Sequence, residues 1–301
     1  MIVPLLVAVV LAQGTAPYYR SRVKPYTESD HCLYWSENMV LTWKASVNGN
    51  PDTPGEGEFD AMRASFASWN TALNACSSLR FQEGERTSSR TIGWLSAVAD
   101  QPKNENILVF RTRVCDPTVA PATDPCWDDA NDNDDCGNKF DCWVHQSGAI
   151  ALTTTTYDPQ SGRILDTDIE FNAARFFQTV SDVPCVPPGN WGPNCTSWDI
   201  QNTLTHEIGH ALGLDHTNAP GSTMNPSAPP GETSKRTLDT GTSSFVCDAY
   251  PAGQVAQDCV IRPFKPTLGD VPSGCGCGSA AGGALVLALA PVLALFRRRR
   301  R

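Results

Sequence analysis

Basic residues are scarce in this chain and histidine is scarcer. Among 301 residues, 23 Lys and Arg stand against 32 Asp and Glu, and there are five histidines. The formal charge is −9, and removing the five arginines that end the sequence takes it to −14. A body this acidic lacks the clustered Lys and Arg that phosphate binding draws on, so nucleic acid is not an expected partner. Also missing is any Cys-x-x-Cys pair, the commonest signature of a structural zinc site, although twelve cysteines are present. Charged residues make up only 18% and hydrophobic ones 41%, which leaves ample apolar material for one substantial core. Long apolar runs are absent except at the two ends.

Residues 2–12 form one such run, too short to span a bilayer. Val10 and Ala12 supply a small-residue cleavage pattern before Gln13, though no basic residue precedes the run. A signal peptide over residues 1–12 is the expectation, with an uncleaved anchor or a buried strand as the alternative. Ser279–Phe296 is the second run, interrupted by Pro291 and followed by Arg297–Arg301. It is just long enough to span, and the arginines would stay on the cytoplasmic side. Cys275, Gly276, Cys277 and Gly278 precede it, and the whole of 275–301 resembles the MYXO-CTERM class of sorting tails. The resemblance implies export, processing near the cysteines, and retention at the cell surface or release; a plain membrane anchor is the alternative. Membrane contact is expected through this tail alone. The ten remaining cysteines (Cys32, Cys76, Cys115, Cys126, Cys136, Cys142, Cys185, Cys195, Cys247 and Cys259) are an even set, which in an exported chain most simply means disulfides. Pairing is not readable from sequence; Cys185 with Cys195 and Cys247 with Cys259 are the two local guesses.

Chemistry concentrates at 206–216, which reads HEIGHALGLDH. A helix turns about 100° per residue, so His206 and His210 share a face and can offer two imidazole nitrogens to one ion. A continued helix would carry His216 to the wrong side, so the helix must stop, and Gly213 is placed to turn the chain back. Three neutral nitrogen ligands suit Zn²⁺ in tetrahedral geometry and leave a fourth position open, the mark of a catalytic ion. Glu207 stands beside that position as a general base and later acid. Peptide hydrolysis is the chemistry implied.

The pattern HExxHxxGxxH is similar to that of the metzincin zinc endopeptidases. Ser222, Thr223, Met224, Asn225 and Pro226 resemble their Met-turn, and Thr217 resembles the small hydroxyl residue that follows the third histidine in matrixins. No tyrosine lies two residues after Met224, so a tyrosine zinc partner is not visible. The resemblance spans roughly residues 32–251 and implies an α+β zincin fold: a twisted mixed sheet of about five strands, two long helices and a small irregular lower subdomain. It further implies one catalytic zinc, since the histidine-rich structural zinc loop of matrixins is absent, and a substrate peptide laid antiparallel along an edge strand near Gly148, Ala149, Ile150, Ala151 and Leu152. There is no room for the long matrixin propeptide.

Periodicity fills in the rest. Residues 13–31 show no period and read as an extended arm. Val40–Ala45 reads as a strand, and Phe59, Met62, Phe66, Trp69 and Leu73 form the stripe of a helix over 58–73. Leu79–Gln82 and Ile107–Phe110 read as short strands. Residues 115–142, with four cysteines and many aspartates, read as an insertion held by disulfides; its carboxylates could take Ca²⁺, but their spacing is not that of an EF-hand. Residues 148–156 form a β-prone run, Asp158, Pro159 and Gly162 a turn, and 168–172 a half-buried strand with Ile169 and Phe171 inward. Thr196 and Asp199 offer a capping-box-like start to the active-site helix, whose Ile200, Leu204, Ile208 and Ala211 make an apolar stripe opposite the histidines. Residues 238–250 read weakly as a last helix, and 263–274 as a Pro/Gly linker following a catalytic domain of 32–262. The reading that results is an exported, monomeric zinc endopeptidase acting on protein or peptide substrates. The competing reading is a catalytically silent surface-displayed binding or adhesion protein on the same scaffold.

Overall fold

The computed structural model describes residues 18–23, 31–36, 38–53, 55–94, 104–127, 135–256, 259 and 278–280. The expected signal peptide, the linker, the apolar run beyond 280 and Asp128, Asp129, Asp132 and Asp134 of the insertion lie outside them. Among the described residues no helix is long and apolar enough to cross a membrane.

The fold is α+β around a mixed sheet. β2 (Val40–Ala45) is VLTWKA, and its alternation buries Leu41, Trp43 and Ala45. It sits between β3 (Arg80–Glu83) and β4 (Asn106–Phe110), parallel to both, and β4 continues parallel into β6 (Ile164–Phe171). β5 (Ala151–Tyr157) returns antiparallel on β6 through the turn Asp158–Gly162, where Gly162 N–H donates to Asp158 O at 2.8 Å. The order is therefore β3-β2-β4-β6-β5, and the short β10 (Gly278–Ala280) runs parallel to Leu152–Thr154 on the β5 edge. The substrate-edge candidates divide here. Ala151 and Leu152 lie in β5, whereas Gly148, Ala149 and Ile150 form the turn entering it.

Helices cover one face of this sheet. α1 (Gly57–Cys76) lays Phe59, Met62, Phe66, Trp69 and Leu73 against it, with Phe66 stacked on Trp43 at 4.3 Å between ring centroids. The Trp69 indole donates to Thr205 O at 2.9 Å and so locks α1 to α3 (Ile200–Ala211), whose Ile200, Leu204 and Ile208 are buried in the same cluster. Truncating Trp69 to alanine would cost about 3–5 kcal/mol by the usual core balance.

Over β4 and β6 the other face of the sheet is buried as well, so β6 is not the half-exposed strand its alternation suggests, whereas on β2 and β3 that face stays exposed. Residues 90–94 and the insertion lie over it. Ile92, Ile107 and Val109 form a small apolar cluster there, and beside them Asp166, Asp168 and Glu170 are buried. Asp168 accepts from Gly93 N and Ile107 N, while Glu170 is held by Arg111 at 2.6 Å and by His145 at 2.8 Å. Parallel strands are normally covered on both faces, and polar groups are tolerated there only when paired. Within the insertion, α2 (Asp135–Phe140) is enclosed by nested bridges Cys115–Cys142 and Cys126–Cys136.

Five disulfides join described residues. Cys185–Cys195 is the local pair expected, but Cys247 pairs with Cys76 and Cys259 with Cys32, not with each other. α4 (Thr240–Ala249) points Cys247 at the end of α1, so proximity in space overrides the short separation in sequence. The N-terminal arm is also not free. β1 (Tyr19–Arg20) pairs antiparallel with β9 (Leu214–Asp215), Tyr18 stands edge-on to Phe245 at 5.5 Å, and Arg20 is buried with Nη2 donating to Leu33 O. A two-residue strand carries too little pattern for a periodicity argument. The remaining pair, β7 (Gln178–Thr179) and β8 (Trp198–Asp199), is parallel and leads into α3.

Candidate metal centre

α3 begins at Asp199, whose carboxylate accepts from Asn202 N at 2.7 Å, a single-residue cap. Thr196 does not share in it; its hydroxyl donates to Ser181 O instead. At the other end, two carbonyls that the helix leaves without partners find buried donors: Trp35 Nε1 to Ala211 O at 2.8 Å and Tyr250 Oη to Leu212 O at 2.7 Å. Gly213 follows at φ +94°, the left-handed turn that the third histidine required. Ser21 fastens the returning chain, through its N–H to Gly213 O at 2.9 Å and its hydroxyl to Leu214 O at 3.0 Å.

The turn brings the three histidines together. The Nε2 atoms of His206, His210 and His216 lie 3.0–3.2 Å from one another. Ligands of a tetrahedral zinc at its usual 2.0–2.1 Å are separated by roughly 3.3 Å, close to this spacing. The distal nitrogens fix the tautomers: Nδ1 of His206 is 2.7 Å from Thr223 O and Nδ1 of His210 is 2.8 Å from Leu214 O, so each carries its proton there and turns an Nε2 lone pair inward. Burial, then the neighbouring imidazoles, lowers the proton affinity of His206 well below the ordinary histidine range and brings His216 down to about 2. Neutral donors converging on one point fit a borderline-soft dication. Among the described residues this is the one cluster of three or more His, Cys, Asp or Glu able to hold an ion. The insertion shows no second one there: Asp116 is occupied by Thr118, Asp124 by Lys139, and Asp141 by Arg90 and Arg111.

Glu207, adjacent to His206, is buried, and its Oε2 accepts from Thr153 Oγ1 at 2.7 Å. Thr153 is the third residue of β5, so the candidate substrate edge and the candidate base share a hydrogen bond. Met224 is fully buried beneath α3. A Cβ built on Gly209 would fall 2.3 Å from its sulfur, so any larger residue there would have to displace Met224. Thr223, the residue that orients His206, is itself held by Asp239, the cap of α4, at 2.8 Å.

Sequence reasoning singled out the three histidines, Glu207, Met224 and the edge segment, and named Thr223 only as part of the stretch around Met224; it did not single out Thr153 or Asp239. Extending the i, i+4 spacing backward from His206 would also have singled out Asn202 on the same face. No curated protein matches the chain. Residues 130–248, from the insertion through most of α4, match the matrixin family model, a match that takes in Glu207, all three histidines and Met224 and supports a matrixin-like metalloprotease in this part of the chain.

Proposed function

We propose that the protein is an exported zinc-dependent endopeptidase that hydrolyses peptide bonds of protein substrates. One observation carries this reading: three neutral imidazole nitrogens converge within 3.2 Å of one another beside a buried carboxylate. His206, His210 and His216 would hold the ion, which when bound supplies Lewis acidity toward a carbonyl and makes water a nucleophile near neutral pH. Glu207 takes the proton of the attacking water and returns it to the departing amine. Thr153 orients that carboxylate from β5 and removes one of its rotational freedoms. Met224, packed against Gly209, is the floor under the histidines. The β5 edge at Ala151 and Leu152, with the turn from Gly148, would take a peptide as an added antiparallel strand, affinity coming from main-chain hydrogen bonds. β10 contacts the same edge, so tail and substrate compete for it.

Five disulfides support an oxidising destination, in keeping with the signal-like N-terminus and the sorting-type tail. The silent-scaffold alternative gains nothing from the buried, oriented carboxylate, which metal retention alone does not need.

The test is cleavage of an unfolded protein by the zinc-loaded chain beside Glu207→Gln, with cut sites mapped by mass spectrometry and bound zinc measured in both. Cuts that vanish in the variant while one zinc remains support the reading. Equal cutting by both, or no cutting by a folded wild type that holds zinc, would overturn it.

A further inference from the structure

A buried ammonium lies next to the metal centre. Lys235, in the 3₁₀ turn Ser234–Arg236, is 3% exposed. Its backbone N–H donates to Asn202 Oδ1 at 2.8 Å. Asn202 precedes His206 by four residues and so shares its face of α3, one turn or about 5 Å nearer the helix start. The Lys235 Nζ donates to Ser227 O at 2.6 Å, three residues beyond Met224. The charge is thus held between the ligand-bearing face of α3 and the segment leaving Met224.

This ammonium is incompletely matched. Its one carboxylate partner among the described residues is Glu232 at 3.4 Å, whose side chain is 20% exposed, whereas a good charge-assisted bond runs about 2.7–2.9 Å. Arg236, the next residue, turns away to Asp199 and Asp182. Of three ammonium donors, two are used. Asn202, also buried, accepts through Oδ1 and leaves its Nδ2 donor with no acceptor among the described residues. Asn202 thus presents its amide donor on the metal-bearing face of α3, and Lys235 is joined to that residue through its backbone N–H.

The edge strand says which part of a substrate they meet. Ile150, just before β5, packs on Ala228, the neighbour of Ser227, while Thr153 further along β5 reaches Glu207. An antiparallel peptide passes the start of β5 with the residues that follow its scissile bond. We propose that Lys235 and Asn202 form a subsite that selects an acidic side chain immediately C-terminal to the scissile bond. This rests on the endopeptidase reading above. A substrate carboxylate accepts from Lys235 Nζ and Asn202 Nδ2 in a site shielded from water; a neutral side chain leaves both donors unmatched, and a basic one is repelled.

The test uses the zinc-loaded full chain and quenched peptides identical except for Glu, Gln, Leu or Lys after the scissile bond. kcat/KM for Glu is expected on the order of ten- to a hundredfold above Gln and Leu, with Lys lowest. Lys235→Met should erase the Glu advantage, bringing the Glu, Gln and Leu rates to within about twofold of one another with zinc content measured in each protein, and Lys235→Arg should retain the preference. A wild type that cuts Glu and Gln peptides equally overturns the inference and leaves the endopeptidase intact. A wild type that holds zinc and cuts none of them removes the reading on which it rests. Should Lys235→Met fail to fold, the wild-type series alone decides.

Discussion

Replacing Gly213 by alanine tests whether the turn that delivers His216 is set by backbone geometry. At φ +94° any residue with a Cβ is strained, a cost of roughly 1–2 kcal/mol. The added Cβ would also lie 2.5 Å from Leu33 O, a backbone atom that must retreat on the order of 1 Å to reach ordinary contact. That oxygen is tied down by Arg20 Nη2 at 2.8 Å, and Leu33 N–H is bonded to Ser21 O, so the retreat disturbs the strand that holds the turn. Overpacking against backbone adds about 1–3 kcal/mol, for a total of about 2–5 kcal/mol. In a domain of this size the midpoint of thermal unfolding should fall by about 5–15 °C. Gly253→Ala is the control: φ is +71° there, but nothing lies within 4 Å of the added Cβ, so only the conformational part should appear, roughly 1–2 kcal/mol. A second readout is zinc retention against a competing chelator, where Gly213→Ala should lose roughly tenfold or more and Gly253→Ala nothing. Equal losses of unfolding temperature and equal zinc retention in the two variants would refute the reasoning.

Thr153→Val removes the hydroxyl that orients Glu207 and should lower kcat about ten- to a hundredfold with zinc content unchanged, by steady-state kinetics and metal analysis. Burial pushes the Asp166 carboxyl up to about 6 and raises Asp168 beside it, so the folded protein keeps protons that the unfolded chain releases above about pH 4. The stability this contributes is complete below the unfolded value and is lost as pH rises through about 4–6; Asp166→Asn should flatten that decline in urea unfolding, and an unchanged slope would count against it. Arg111→Met strands the buried Glu170 carboxylate and should cost about 3–5 kcal/mol in the same assay, whereas a loss below about 1 kcal/mol would mean that His145 suffices.

What could be read in advance follows the range of each interaction. The histidine spacing, the helix end at Gly213, the α1 stripe and the strand pattern of β2 are local, and one turn or a few alternating residues encode them. The partners of Cys247 and Cys259 depend on where α1 and residue 32 end up, which no local pattern records. β6 alternates as if one face were wet because Asp166, Asp168 and Glu170 are polar. Their burial comes from Gly93, Arg111 and His145, contributed by segments distant in sequence. Lys235 carries no motif at all. Its place beside the centre arises because Asn202 and Ser227 receive it from two different elements.

The pairing of β1 with β9 bears on the order in which the molecule is assembled. Tyr19 meets Asp215, so the clasp that holds the third histidine joins a residue to one made on the order of 10–40 s later. Contacts so far apart in sequence form late, because their loop entropy must first be offset by everything between them. Until they form, His206 and His210 have a helix to stand on but no third companion. A three-histidine site able to hold an ion is then completed in the last step of folding, which would make metal uptake a sign that these distant segments have come together.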